Sequence, residues 1–117
     1  AILLTMPFLK KKIDAISFRV PTNIVCASDL TICLNKEISI REAFNYLKSL
    51  ELDQPSIFGF NEEQRVSIDY KGINKSVYID GNRIKVLNNR ILKLVLWYDN
   101  EWGYSNKVIE ILKYILK

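Results

Sequence analysis

What most constrains this chain is a two-residue rhythm of apolar side chains that recurs along most of its length. Between residues 15 and 22, Ile16, Phe18 and Val20 fall on one side of an extended backbone, with Ser17 and Arg19 on the other. From 24 to 34 the alternation groups Ile24, Cys26, Leu30, Ile32 and Leu34 opposite Asp29 and Thr31. Shorter runs follow at 64–70, 76–79 and 83–87, and Asp80-Gly81-Asn82 between the last two has hairpin chemistry, since Gly and Asn tolerate positive φ. Successive side chains of a strand point to opposite faces, so each run predicts a strand with one apolar face. Residues 91–98 are apolar on both faces, which predicts a central strand covered on both sides.

Two stretches change period. Ser39-Ile40-Arg41-Glu42 fits a capping box, and Ile40, Ala43, Phe44, Leu47 and Leu50 then recur at helical spacing. Near the other end, Trp102, Val108, Ile109, Leu112 and Leu116 form one stripe, widened by Tyr104, Ile111 and Ile115, which predicts a deeply packed helix. Strands outnumber helices. The expected fold class is α+β, a mostly antiparallel sheet with helices on one face.

A chain of 117 residues suits one domain or a large part of one, and 49% apolar residues with five Phe, six Tyr and two Trp are globular composition. The net charge of +4 makes a slightly basic surface, and Lys10-Lys11-Lys12 is too short a run for a nucleic-acid arm. Nucleic acid is therefore not the expected partner. The absence of histidine rules out His-based zinc sites and any Cys-His or Ser-His pair within the chain, and no metal site is expected. Cys26 and Cys33 are an odd number of residues apart, which puts them on opposite faces of a strand. They are expected as unbonded, buried thiols of a reducing compartment. The first residues are apolar and then basic, the reverse of a secretory signal, and too short a run to cross a bilayer. A soluble, cytoplasmic protein is expected, and an apolar run beginning at Ala1 suggests that the chain starts partway through an element.

Three stretches carry a family resemblance. Phe18-Arg19-Val20-Pro21-Thr22, continuing to Asp29-Leu30-Thr31, is similar to an F-R-V-P-T…D-L-T stretch, and Val66-Ser67-Ile68-Asp69 with Ser76 to a V-S-x-D…S segment. The run from Trp97 through Tyr98, Asp99, Asn100, Glu101, Trp102, Gly103, Tyr104 and Ser105 to Asn106 matches the signature W-Y-D-N-E-W-G-Y-S-N. In that order and spacing they resemble the C-terminal part of the catalytic domain of the glyceraldehyde-3-phosphate dehydrogenase family, over essentially the whole chain. Ile13-Asp14-Ala15-Ile16 and Tyr78-Ile79-Asp80-Gly81 lean towards the erythrose-4-phosphate dehydrogenases within it. Trp97-Tyr98-Asp99 and Gly103-Tyr104-Ser105 fit the glyceraldehyde-3-phosphate enzymes slightly better.

The resemblance implies an NAD-dependent oxidoreductase acting on a sugar-phosphate aldehyde, in pyridoxine biosynthesis or glycolysis, and a homotetramer in the intact enzyme. A cysteine thiolate would attack the aldehyde, hydride would pass to NAD, and water or phosphate would resolve the thioester. Arg19 matches the arginine that grips the substrate phosphate, a role that suits a rigid fork of donors. The strand pattern alone reads it equally as a surface arginine paired with a carboxylate. Asn100 matches the asparagine that binds the nicotinamide carboxamide, since an amide both donates and accepts; it also reads as an N-cap before Glu101. Tyr104 resembles a tyrosine near the nicotinamide, and is as easily core. The Ser-Cys-Thr-Thr-Asn-Cys-type nucleophile motif, the general-base histidine and the glycine-rich βαβ unit for the dinucleotide do not occur in residues 1–117. No catalytic residue is therefore assigned, the NAD-binding Rossmann domain is read as absent, and the chain alone is expected to be inactive. The rival reading is a non-catalytic interaction module that binds RNA or caps a full-length subunit.

Overall fold

Residues 2–116 are described by a computed structural model. Its middle strand is β5 (Ile91–Tyr98), flanked on one side by β1 (Cys26–Cys33), antiparallel along its whole length. On the other side lie β3 (Val77–Asp80) and β4 (Lys85–Leu87), both antiparallel to β5, and β2 (Phe58–Asn61) pairs parallel with β3 beyond. The five-stranded sheet is therefore mixed but mostly antiparallel, as the alternation predicts. α1 (Ile2–Thr5), α2 (Ile40–Asp53) and α3 (Trp102–Ile115) complete the chain.

The core lies between α2 and one face of the sheet. Leu92 and Leu94 of β5 and Ile79 of β3, with Ile84, meet Ala43 and Leu47 of α2. Phe44 stands edge-on to Phe60 at 5.1 Å. Burying each large aliphatic side chain contributes about 1.5–3 kcal/mol. The capping box starts α2 where predicted: Ser39 Oγ accepts from the Glu42 amide at 3.2 Å, and Glu42 Oε2 accepts from the Ser39 amide at 2.8 Å.

Several expectations need correction. Residues 15–22 form no strand among the described residues, and Ile16 and Phe18 are 81% exposed. Alternation makes a strand only where a neighbour supplies the ladder hydrogen bonds, and none lies beside this segment. Residues 67–70 form a 3₁₀ turn, because Asp69 Oδ2 takes the Val66 amide at 2.8 Å and closes the backbone locally. β3 and β4 are not a hairpin. They line up end to end along β5, and the tight turn instead joins β4 to β5, where Asn88 and Asn89 take positive φ (49° and 54°).

β5 is central, but only its Leu92-Leu94 side is well covered; Lys93 and Val95 on the other face are half-buried. α3 is not deeply packed either. Gly103 is its one buried residue, while Ile109 and Leu112 are about half exposed, because the helix leaves the end of β5 and touches the rest of the chain mainly through its first turn and Lys107. Cys26 is half-buried and Cys33 exposed, both free, since β1 is an edge strand that α2 does not reach across. No helix among the described residues is long and apolar enough to cross a membrane. The expectation that an element is already under way at Ala1 falls outside the described residues.

Candidate functional site

A cavity of about 1010 Å³ opens between the extended segment 14–24 and the C-terminal end of β5. Arg19, Cys26, Ser28, Ser67, Asn100 and Glu101 are among its polar lining. Two of the three predicted site residues, Arg19 and Asn100, thus come to one cavity although they are far apart in sequence. Tyr104 is 72% exposed on α3 and does not line it.

The segment carrying Arg19 is aimed by a strained joint. Val25, 6% exposed, has φ 71°, a left-handed conformation that a β-branched residue adopts only at a cost of about 1–3 kcal/mol. This joint turns the chain from the cavity wall into β1. Arg19 itself is exposed, and no ion pair holds it among the described residues. Among the described residues it is the one cation lining the cavity, where Asp14, Asp29 and Glu101 are the acids. Asp29 is occupied by Lys93 at 2.7 Å. The Arg19 guanidinium thus supplies the positive charge on the cavity wall, with its donor fork free to meet an anion.

The turn after β5 divides two tasks between adjacent residues. Asp99, 2% exposed, faces inward: its Oδ1 accepts from the amides of Glu101 (3.1 Å) and Trp102 (2.9 Å), and its Oδ2 from Gly72 (2.8 Å). Burial pushes this carboxyl up, but the donors at Gly72, Trp102 and Glu101, with Lys71 nearby, outweigh it and hold it below its ordinary value. Asp99 thereby caps α3, the task the sequence pattern offered to Asn100. Asn100 faces the cavity instead, with Oδ1 accepting from Cys26 Sγ at 3.5 Å. With Oδ1 engaged, its amide N–H groups remain to donate to a carbonyl, which fits a nicotinamide carboxamide.

Beneath the cavity floor, the buried ring of Tyr70 stacks on Trp97 at 5.3 Å with 8° between planes, and Trp97 Nε1 donates to Asp80 at 3.2 Å. Sequence reasoning missed Asp99 as the cap and Ser67 as a wall residue. An aspartate three residues before Trp102 was a usable signal for the first; nothing local signals the second.

Residues 1–100 match the family described as glyceraldehyde 3-phosphate dehydrogenase, C-terminal domain. The chain belongs to the glyceraldehyde-3-phosphate dehydrogenase family. It is 41% identical over 118 aligned residues to glyceraldehyde-3-phosphate dehydrogenase 1 of Bacillus subtilis (strain 168), covering 100% of this chain and 35% of that protein. Glyceraldehyde-3-phosphate dehydrogenase of Priestia megaterium is 40% identical over 116 residues, covering 98% of this chain and 35% of its own. The enzyme of that name from Atriplex nummularia is 39% identical over 113 residues, covering 96% and 31%. The chain thus spans about a third of the length of these glyceraldehyde-3-phosphate dehydrogenases, which are oxidoreductases, and corresponds to their C-terminal domain.

Proposed function

We propose that residues 1–117 are the C-terminal part of the catalytic domain of an NAD-dependent phosphorylated-aldehyde dehydrogenase, and that this part holds the substrate phosphate and the nicotinamide. The observation that carries the reading is Arg19 and Asn100 in one cavity of a member of this family. Arg19 binds the phosphate and Asn100 donates to the carboxamide; Tyr104 lies outside the cavity on α3, and its place as a second nicotinamide contact rests on the family resemblance alone. NAD supplies the hydride acceptor when bound; this chain's residues orient the ring and anchor the substrate's far end. The working enzyme we propose is a homo-oligomer.

Two features weigh on substrate length. Of the residues that lean towards a four-carbon sugar phosphate, Asp14 to Ile16 line the cavity, whereas Tyr78 to Gly81 do not. The matched relatives carry the name of the three-carbon enzyme. We therefore assign a phosphorylated aldehyde as substrate and leave the choice to a rate comparison of the two sugar phosphates in an enzyme containing this segment.

The test of the site is titration of the chain with inorganic phosphate and, separately, with nicotinamide mononucleotide, followed by amide NMR. Arg19→Ala should weaken phosphate binding roughly 10- to 150-fold, the range for a lost charge-assisted contact, and leave the nucleotide's effect on Asn100 intact. Phosphate shifts that survive Arg19→Ala would remove the assignment. Salt-sensitive RNA binding untouched by Arg19→Ala would instead favour an interaction module.

A further inference from the structure

We infer that Asp99 is the positioning residue for Asn100: a buried clamp that sets where the nicotinamide-facing amide stands, beyond its service as a helix cap. The inference rests on the proposed role of Asn100. Capping α3 requires only Oδ1, which takes the Glu101 and Trp102 amides. The second oxygen does something a cap does not need. Oδ2 reaches across 27 residues of sequence to the amide of Gly72, in a turn where Gly72 takes φ +75° and a side chain would be strained.

That turn is itself part of the cavity's construction. It follows the 3₁₀ segment Ser67–Tyr70, whose Ser67 is a wall residue and whose Tyr70 ring underlies Trp97. One carboxylate therefore joins the start of α3 to the wall loop, with Asn100 immediately after it. Asn100 leaves this anchor with its backbone fixed at the preceding residue and its side chain held by Cys26 Sγ at 3.5 Å. An exposed amide with a single weak sulfur contact would otherwise sample several rotamers, and a binding group works only when held within a narrow range of positions. The direction of the carboxyl's acidity, held low against burial by its three amide donors, agrees with a permanently charged clamp.

Cys26 gives a readout of Asn100 that needs no cofactor. Cys26 is half-buried and its Sγ is engaged by Asn100 Oδ1, so release of Asn100 should open the thiol to reagent and speed its alkylation. In the 117-residue chain carrying Cys33→Ser, iodoacetamide then reports Cys26 alone. Asn100→Ala should raise its alkylation rate about two- to fivefold, the factor matching loss of a hydrogen bond of ~0.5–1 kcal/mol. Asp99→Asn, which leaves only one accepting oxygen, should raise the rate in the same direction by at least about twofold. Asp99→Ser can still cap α3 but cannot span to Gly72, so it should keep the helical circular-dichroism signal and still speed Cys26.

Cys26 reacting at the parental rate in both Asp99 variants, while Asn100→Ala speeds it, would reduce Asp99 to a cap and overturn the inference. An unchanged rate in Asn100→Ala would overturn it too, by removing the contact it is built on. If neither Asp99 variant folds, amide exchange in the unsubstituted chain decides. Gly72, Glu101 and Trp102 amides as slow as that of Leu94 support the clamp, and free exchange at Gly72 refutes it. Titration with nicotinamide mononucleotide separates the two readings. Binding that is unaffected by Asn100→Ala ends the nicotinamide role of Asn100 and says nothing against the clamp.

Discussion

Gly59 on β2 is the position where the smallest change should have the largest traceable effect. A Cβ built there would stand 2.5–2.6 Å from Cε1, Cζ and Cδ1 of Tyr78, against the 3.4–4 Å of ordinary contact. Gly59→Ala therefore forces the Tyr78 ring to move by roughly 1 Å, an overpacking of the kind that costs about 1–3 kcal/mol. The ring is not free to swing. It tilts against buried Tyr70 at 5.7 Å, with Lys75 Nζ over its face at 5.4 Å, and Tyr70 in turn stacks on Trp97. For a domain near this size that cost lowers the melting temperature by roughly 4–12 °C. The assay is thermal unfolding followed by circular dichroism, with Trp97 fluorescence read in a Trp102→Phe background. Removing the ring is the control. In a Tyr78→Ala background the same glycine substitution should cost less than about 0.5 kcal/mol, since coupled sites are not additive. Gly59→Ala melting within about 2 °C of its parent would refute the packing argument.

Three further outcomes are expected. Ser39→Ala removes the hydroxyl half of the capping box, leaving the backbone amide there bonded to Glu42, and should destabilise the chain by about 1 kcal/mol in urea unfolding, whereas a loss under about 0.3 kcal/mol would show α2 held by its packing alone. Stability should fall in acid: Asp99, held low by amide donors against burial, and Glu42, held low by the Ser39 hydroxyl and amide, both have folded pKa values below their unfolded ones. Their contribution is therefore present above about pH 4.5 and lost as pH drops through the folded values, and a midpoint denaturant concentration flat from pH 5 to pH 2 would contradict it. The chain by itself should form no NADH with either sugar phosphate, because it has no histidine to activate a thiol; turnover abolished by Cys26→Ser would make Cys26 the nucleophile.

How much of the fold was legible depended on how local its causes are. The capping box reads directly because Ser39 and Glu42 meet each other within one turn, whatever surrounds them. The run at 91–98, apolar on both faces, does mark the central strand, paired on both edges, although only its Leu92-Leu94 face is well covered. Errors arose where a distant partner decides. Gly81 looked like a hairpin glycine, but a Cβ there would meet the Phe60 ring at 2.8 Å and the Asn61 carbonyl at 2.9 Å. Glycine is needed at 81 for close approach to β2, not for a turn. The pair that does take positive φ is Asn88-Asn89, beyond β4. The stripe on α3 was real as a pattern, but periodicity states that a face can be covered, not what covers it.

The site shows the same limit at finer scale. Arg19 and Asn100 were recognisable through a family signature, whereas their meeting in one cavity depends on the strained turn at Val25, which no periodicity reveals. By elementary rules Asn100 was as good a helix cap as its neighbour, since Asn and Asp cap about equally well. The choice between them is made by burial. A carboxylate with 2% exposure needs several donors, and the turn offers three amides, at Gly72, Glu101 and Trp102, that no single amide oxygen could take together. Aspartate is thus the residue that can both face inward and satisfy the turn, and that leaves the next side chain free to face outward. The order Asp-Asn follows from this: exchanging the two would bury an amide whose N–H groups meet only donors and would place a carboxylate in the cavity. That second charge would lie beside Glu101, where it would repel an anion rather than orient a carboxamide.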